Sequence, residues 1–148
     1  MVVILFTSCS ASKTVRTSKK VIKGSWTLNA VNYDRTNTLK VDLLNDSSSK
    51  CFEGSTWQFI PNNNTGTYTI NNSGCSTGVR HFIFTIAETD AANGLYSFLL
   101  KPTNEKGKSE TNKGYRLRLM QLSENSMQWQ QTVNANGKPF SITMNFSK

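Results

Sequence analysis

With 148 residues, the chain has room for one domain built on a single sizeable core. Three cysteines without a Cys-x-x-Cys pair, and a lone histidine, exclude the zinc-ribbon and thioredoxin classes. Seventeen Lys and Arg against nine Asp and Glu give a formal charge of +8, but five of the cations lie within residues 10–23 and residues 24–148 carry twelve against nine. Cations scattered so thinly through the domain do not make a nucleic-acid face, and no nucleic-acid partner is expected.

The chain begins Met-Val-Val-Ile-Leu-Phe-Thr-Ser, an apolar run far shorter than the about 20 residues that span a bilayer. It reads as the tail of a secretory signal, with the true start expected upstream. Phe6-Thr7-Ser8-Cys9 resembles a bacterial lipoprotein lipobox, which is cleaved before a cysteine that becomes N-terminal and lipidated. Phe6 stands where Leu is usual, and no cation precedes the apolar run. Residues 1–8 are therefore expected to be a signal remnant, 9–20 the lipidated Cys9 with a flexible basic tether, and 21–148 the folded domain. A tether of this charge beside an anchor is expected to face anionic headgroups. The bland alternative is an accidental apolar start with a free thiol at Cys9.

The first strand is expected at Ile22 to Ala30, where Trp26, Leu28 and Ala30 share one face while Ser25, Thr27 and Asn29 face water. Val31-Asn32-Tyr33 shifts that alternation by one residue, as a bulge would. Leu39 to Leu43 reads as a second strand. Cys51 to Ile60 points Trp57 and Phe59 inward and ends at Pro61-Asn62-Asn63-Asn64, a turn. The return strand, Thr65 to Ile70, puts Tyr68 and Ile70 in register. Arg80 to Ile86 offers Phe82, Phe84 and Ile86, and Asn93-Gly94 marks a tight hairpin into Leu95 to Lys101. Thr103 to Lys113 is charged and free of apolar residues, hence an exposed loop or barrel rim. Tyr115 to Leu119 is a strand with a cationic outer face. Met127 to Val133 follows, and Asn136-Gly137 turns into Phe140 to Phe146. About nine short strands in sequential hairpins, with no convincing amphipathic helix, predict an all-β antiparallel up-and-down barrel of eight to nine strands, with a sandwich as the alternative.

Cys51 and Cys75 lie eleven residues outside Asn62 and Asn64 on the two arms of one hairpin. Pairing across that turn brings the cysteines within reach of each other, so a disulfide is expected in an exported domain. Two buried free thiols are the alternative.

Gly24-Ser25-Trp26 on the first strand, the strand count and the lipoprotein-like leader together resemble the lipocalin-like (calycin-type) lipoproteins of Bacteroidetes-type bacteria. The block Cys51 to Phe59 and the tails Met127 to Gln131 and Ile142 to Phe146 look like recurring segments of that group. The resemblance covers residues 21–148 and implies a cell-envelope location, outer membrane or periplasm-facing. It also implies that a basic side chain from a late strand packs over Trp26, for which Arg116 or Arg118 is the candidate. The helix that typically precedes the last strand in lipocalins is missing from the pattern.

Catalytic groups are sparse. His81 alternates with Phe82 and Phe84 and so points outward, and no Gly-x-Ser-x-Gly or paired carboxylates occur. Glu53, beside Gly54, reads as a hydrogen-bond acceptor at a turn or barrel mouth. The chain is expected to be a non-enzymatic, cofactor-free monomer without a metal. The expected interior is Trp26, Leu28, Trp57, Phe59, Tyr68, Phe84, Phe98, Leu117, Leu119, Met127, Trp129 and Phe146. All of these except Leu28 and Leu119 are the candidate ligand-binding residues, with Tyr68, Trp129 and Gln131 adding polar atoms. The leading expectation is a membrane-anchored binding protein for a small hydrophobic or amphipathic molecule. The alternative is a structural or interaction lipoprotein with a filled barrel and no ligand.

Overall fold

A computed structural model describes residues 13–34, 42–90, 95–135 and 137–148. The elements are α1 (Lys13–Ile22), β1 (Gly24–Tyr33), β2 (Asp42–Leu43), β3 (Ser47–Ser48), α2 (Ser49–Phe52), β4 (Thr56–Ile60), β5 (Thr65–Ile70), β6 (Gly78–Asp90), β7 (Leu95–Thr103), β8 (Tyr115–Leu122), β9 (Ser126–Ala135) and β10 (Lys138–Ser147). Eight strands close a barrel in the order β1-β10-β9-β8-β7-β6-β5-β4, and each neighbouring pair is antiparallel. The sheet is up-and-down, the architecture of the calycins, and the two-residue strands β2 and β3 pair with each other outside it.

Alternation builds the wall. Phe140, Ile142, Met144 and Phe146 of β10 are buried while the residues between them are not, and Tyr68 and Ile70 of β5 do the same. Gly66 occupies an inward position of β5 because an added Cβ would run into the Phe82 ring and stand 2.5 Å from the Gln58 carbonyl. Register shifts between Leu28 and Ala30, Glu88 and Asp90, and Leu119 and Gln121 are bulges, the device by which a twisted sheet bends round to close. The first falls at Asn29, one turn of the alternation earlier than the sequence suggests. Ala30 therefore leaves the inner face, and Val31 takes its place there, 7 % exposed.

Two other expectations change. Residues 35–41, which hold most of the expected strand Leu39 to Leu43, lie outside the described residues; what is described of it is β2, not a barrel strand. The Asn93-Gly94 hairpin also lies outside them. Helices are present where none was expected. α1 occupies part of the segment read as a flexible tether, seated on the barrel by Ser18 and Ile22, which are 8 % and 0 % exposed.

The barrel has two unlike ends. One carries α1, the β4–β5 turn, the β8–β9 turn and Lys148; α1 packs against β6 and β8 there. A helix leaves its last carbonyls without intrahelical donors. Here the Ile22 carbonyl accepts the Trp26 indole N–H at 2.9 Å and the Val21 carbonyl accepts the Lys148 ammonium at 2.8 Å. The other end carries the long β1–β4 connection with β2, β3 and α2, joined to the β5–β6 loop by the Cys51–Cys75 disulfide, whose Cα atoms are 5.8 Å apart.

Candidate functional site: the lumen and its closures

Of the ten residues proposed from sequence as lumen-lining, Trp26, Trp57, Phe59, Tyr68, Phe84, Phe98, Leu117, Met127, Trp129 and Phe146 are each 2 % exposed or less. They point inward together and touch. Trp57 of β4 stacks on Tyr68 of β5 with centroids 4.6 Å apart. It also meets Trp129 of β9 edge-on at 5.6 Å and Phe146 of β10 at 5.5 Å. From β4, Phe59 reaches the same Trp129 at 5.6 Å, and Phe98 of β7 meets it at 5.0 Å. β4 and β9 are three places apart in a ring of eight strands, nearly across the barrel from each other. Rings from opposite walls therefore meet in the lumen, in the offset and edge-on geometries that aromatic quadrupoles favour.

Further rings that the candidate set leaves out complete this packing. Phe82 lies 5.7 Å from Trp57, and Tyr96 lies 6.0 Å from Phe98. Phe52, on the short helix α2 rather than on a strand, inserts 5.3 Å from Tyr68 and 6.3 Å from Trp57, fully buried. Period-two alternation has no means of finding it. Its neighbours Leu43 and Leu44 are buried with it, so the β1–β4 connection plugs that end with apolar side chains.

The polar atoms among these rings are mostly spoken for. The Trp57 indole N–H donates to the Ser55 hydroxyl at 2.9 Å, and that hydroxyl donates to the Phe52 carbonyl. The Tyr68 hydroxyl donates to Asp46 at 2.8 Å, and Asp46 also accepts from Arg80 at 2.9 and 3.2 Å. This cluster fastens the plug to β5 and β6. Burial, and then the hydrogen bond to Asp46, push the Tyr68 phenol well above its usual value. At the other end, beneath α1, burial raises the Tyr96 phenol. Two polar atoms lack a hydrogen-bond partner among the described residues: the Tyr96 hydroxyl and the Nε1 of Trp129, which is 0 % exposed. Gln131, two residues on, is only half-buried.

Glu53 accepts a hydrogen bond from the Val31 amide at 3.3 Å, as a barrel-mouth acceptor should. The cation over Trp26 is neither Arg116 nor Arg118, both of which are exposed on the outer face of β8. It is Lys148, whose ammonium stands 4.9 Å from the ring centroid. His81 stands on the outer face of β6, where it borders an open cleft of about 420 Å³ against the β5 wall and the loop after β7, with Ile60, Thr67 and Glu105 among its other borders. Among the described residues no group of three or more His, Cys, Asp or Glu is placed to hold a metal ion. No protein-family model, no curated protein and no solved structure matches this chain.

Proposed function

We propose that the chain is a membrane-anchored, calycin-like barrel of the cell envelope that acts as a non-catalytic interaction module, working through its outer surface and ends. One observation carries this reading. Trp57, Phe59, Phe98 and Phe146 all converge on Trp129, so a lipocalin-like cavity would have to be opened by moving rings that now bury one another. An eight-stranded barrel is just wide enough for side chains to fill, and these are among the largest available. The lipobox-like Phe6-Thr7-Ser8-Cys9 supports the anchor.

Titration of the three tryptophans by fluorescence with fatty acids and retinoid-like probes, alongside native mass spectrometry, tests the filled lumen. No saturable uptake is expected, and a stoichiometric complex would overturn the reading. Mass analysis of the exported protein tests the anchor, which requires a diacylated Cys9 at the mature N-terminus.

A second reading, a small amphipathic ligand in the lumen, is favoured by the unpartnered Trp129 N–H. A buried donor without an acceptor costs about 1–3 kcal/mol, which a ligand oxygen would recover. That ligand would have to displace Phe98 or Phe146 to reach it.

A further inference from the structure

α1 places Arg16, Lys19 and Lys20, with Lys23 just beyond it, at spacings of three, four and seven residues, one face of a helix. The opposite face is spent on the barrel through Ser18 and Ile22. The four cations therefore project from the end of the barrel. With Pro61 and Asn62 of the β4–β5 turn they line an open cleft of about 330 Å³. Among the described residues no acid forms an ion pair with any of them; Lys19 donates to the neutral Asn64 side chain at 3.2 Å, which orients it without cancelling its charge. Ile60, which precedes Pro61 at the end of β4, borders the outer-wall cleft of His81 and not this one, so the lining here is polar and cationic apart from Pro61.

We infer that this end of the barrel docks on an anionic phospholipid surface, with Arg16, Lys19, Lys20 and Lys23 at the headgroups. Charge complementarity selects the partner: four cations without an ion-pair partner among the described residues, gathered at one end of the barrel, match an anionic headgroup layer. Nucleic acid fits less well, because the cluster has no aromatic side chain among its lining residues on which to stack a base. The orientation matches the anchor, since α1 is the first described element after Cys9. The inference rests on the membrane reading above only for which side of the protein meets the bilayer. The contact itself is a property of the folded chain.

The test uses the unlipidated chain, Cys9→Ser, so that failure here leaves the lipidation result standing. Co-sedimentation with phosphatidylcholine vesicles containing phosphatidylglycerol is expected, with none on phosphatidylcholine alone, and it should weaken as salt rises. Each neutralisation among Arg16→Gln, Lys19→Gln, Lys20→Gln and Lys23→Gln should lower partitioning about fivefold, and the four together should abolish it. Arg116→Gln with Arg118→Gln should leave it unchanged. Circular dichroism and tryptophan emission confirm folding of each variant, and the single Lys20→Gln, at an exposed position, carries the test if the fourfold variant does not fold. Equal binding to neutral vesicles, indifference to Lys20→Gln, or tighter binding to a DNA duplex than to the anionic vesicles would overturn the inference.

Discussion

The Lys148 ammonium lies 4.9 Å from the centroid of the Trp26 ring and donates to the Val21 carbonyl at 2.8 Å. One cation thus joins the first strand, the last strand and the helix that closes the barrel. A cation over indole contributes about 0.5–1 kcal/mol at an exposed site, and a cation at a helix C-terminus a similar amount. Lys148→Met should lower stability by about 1–2 kcal/mol in urea unfolding and reduce the far-ultraviolet helical signal. Lys148→Arg should retain most of both.

Cys51 and Cys75 are 24 residues apart in sequence, and their bridge ties the apolar plug to the β5–β6 loop. In the chain-entropy model a loop of that size contributes about 3 kcal/mol. Replacing both by Ser should lower the unfolding free energy by about that amount. Adding reductant to the unaltered protein should give the same midpoint as the double variant in the same buffer.

Gly66 sits under the Phe82 ring and close to the Gln58 carbonyl, and the latter is backbone that cannot swing aside. Gly66→Ala should destabilise by about 2–3 kcal/mol, as overpacked cores do. Combining it with Phe82→Leu should not recover the loss fully, because the carbonyl contact persists. A thermodynamic cycle of the two single variants and the double measures this directly.

The phenols of Tyr68, Tyr96 and Tyr115 all titrate above the ordinary 10.0, each chiefly because burial disfavours the anion. The folded state thus holds these protons more tightly than the unfolded chain. Their contribution is fully present below pH 10 and is lost as pH rises from there toward the folded values. The slope for one phenol approaches about 1.4 kcal/mol per pH unit only where it is ionised in the unfolded chain and still protonated in the fold, a limit that Tyr68, with the largest shift, comes nearest. Unfolding free energies from urea titrations should be level up to about pH 9 and fall increasingly steeply above pH 10, and Tyr68→Phe should make the alkaline fall shallower.

Strand alternation made the inner wall legible in the sequence: Trp57 and Phe59, Tyr68, Phe82 and Phe84, and Phe140 to Phe146 all lie where period two puts them. The disulfide was legible too, because its cysteines are equidistant from one turn. Three things were not. The partner of Trp26 depends on β1 meeting β10, a register between chain ends that local pattern does not encode, so the sequence points to β8 and the structure to Lys148. α1 holds three apolar residues in ten, Val15, Val21 and Ile22, with no acid in its first turn, which leaves too thin an apolar stripe to announce a helix. Alternation also says which rings point inward without saying whether they meet, and so it cannot tell a lined lumen from one in which Trp129 is met from several sides.

Six of the eight strand pairings in the barrel join consecutive hairpin arms from β4 to β10, whereas β1 is held between β4 and β10 as the closing stave. Thr27 pairs with Ser147 across nearly the whole length of the chain. During synthesis β1 emerges first and finds its second partner last, so the sheet has bare edges until the final strand is released. Bare strand edges are templates for pairing with other chains. A ribosome stalled or a protease cut within β10 would therefore yield no shorter barrel but an open ribbon in which β1, still paired with β4, and β9, still paired with β8, each present a bare edge prone to accept a strand from a neighbouring molecule.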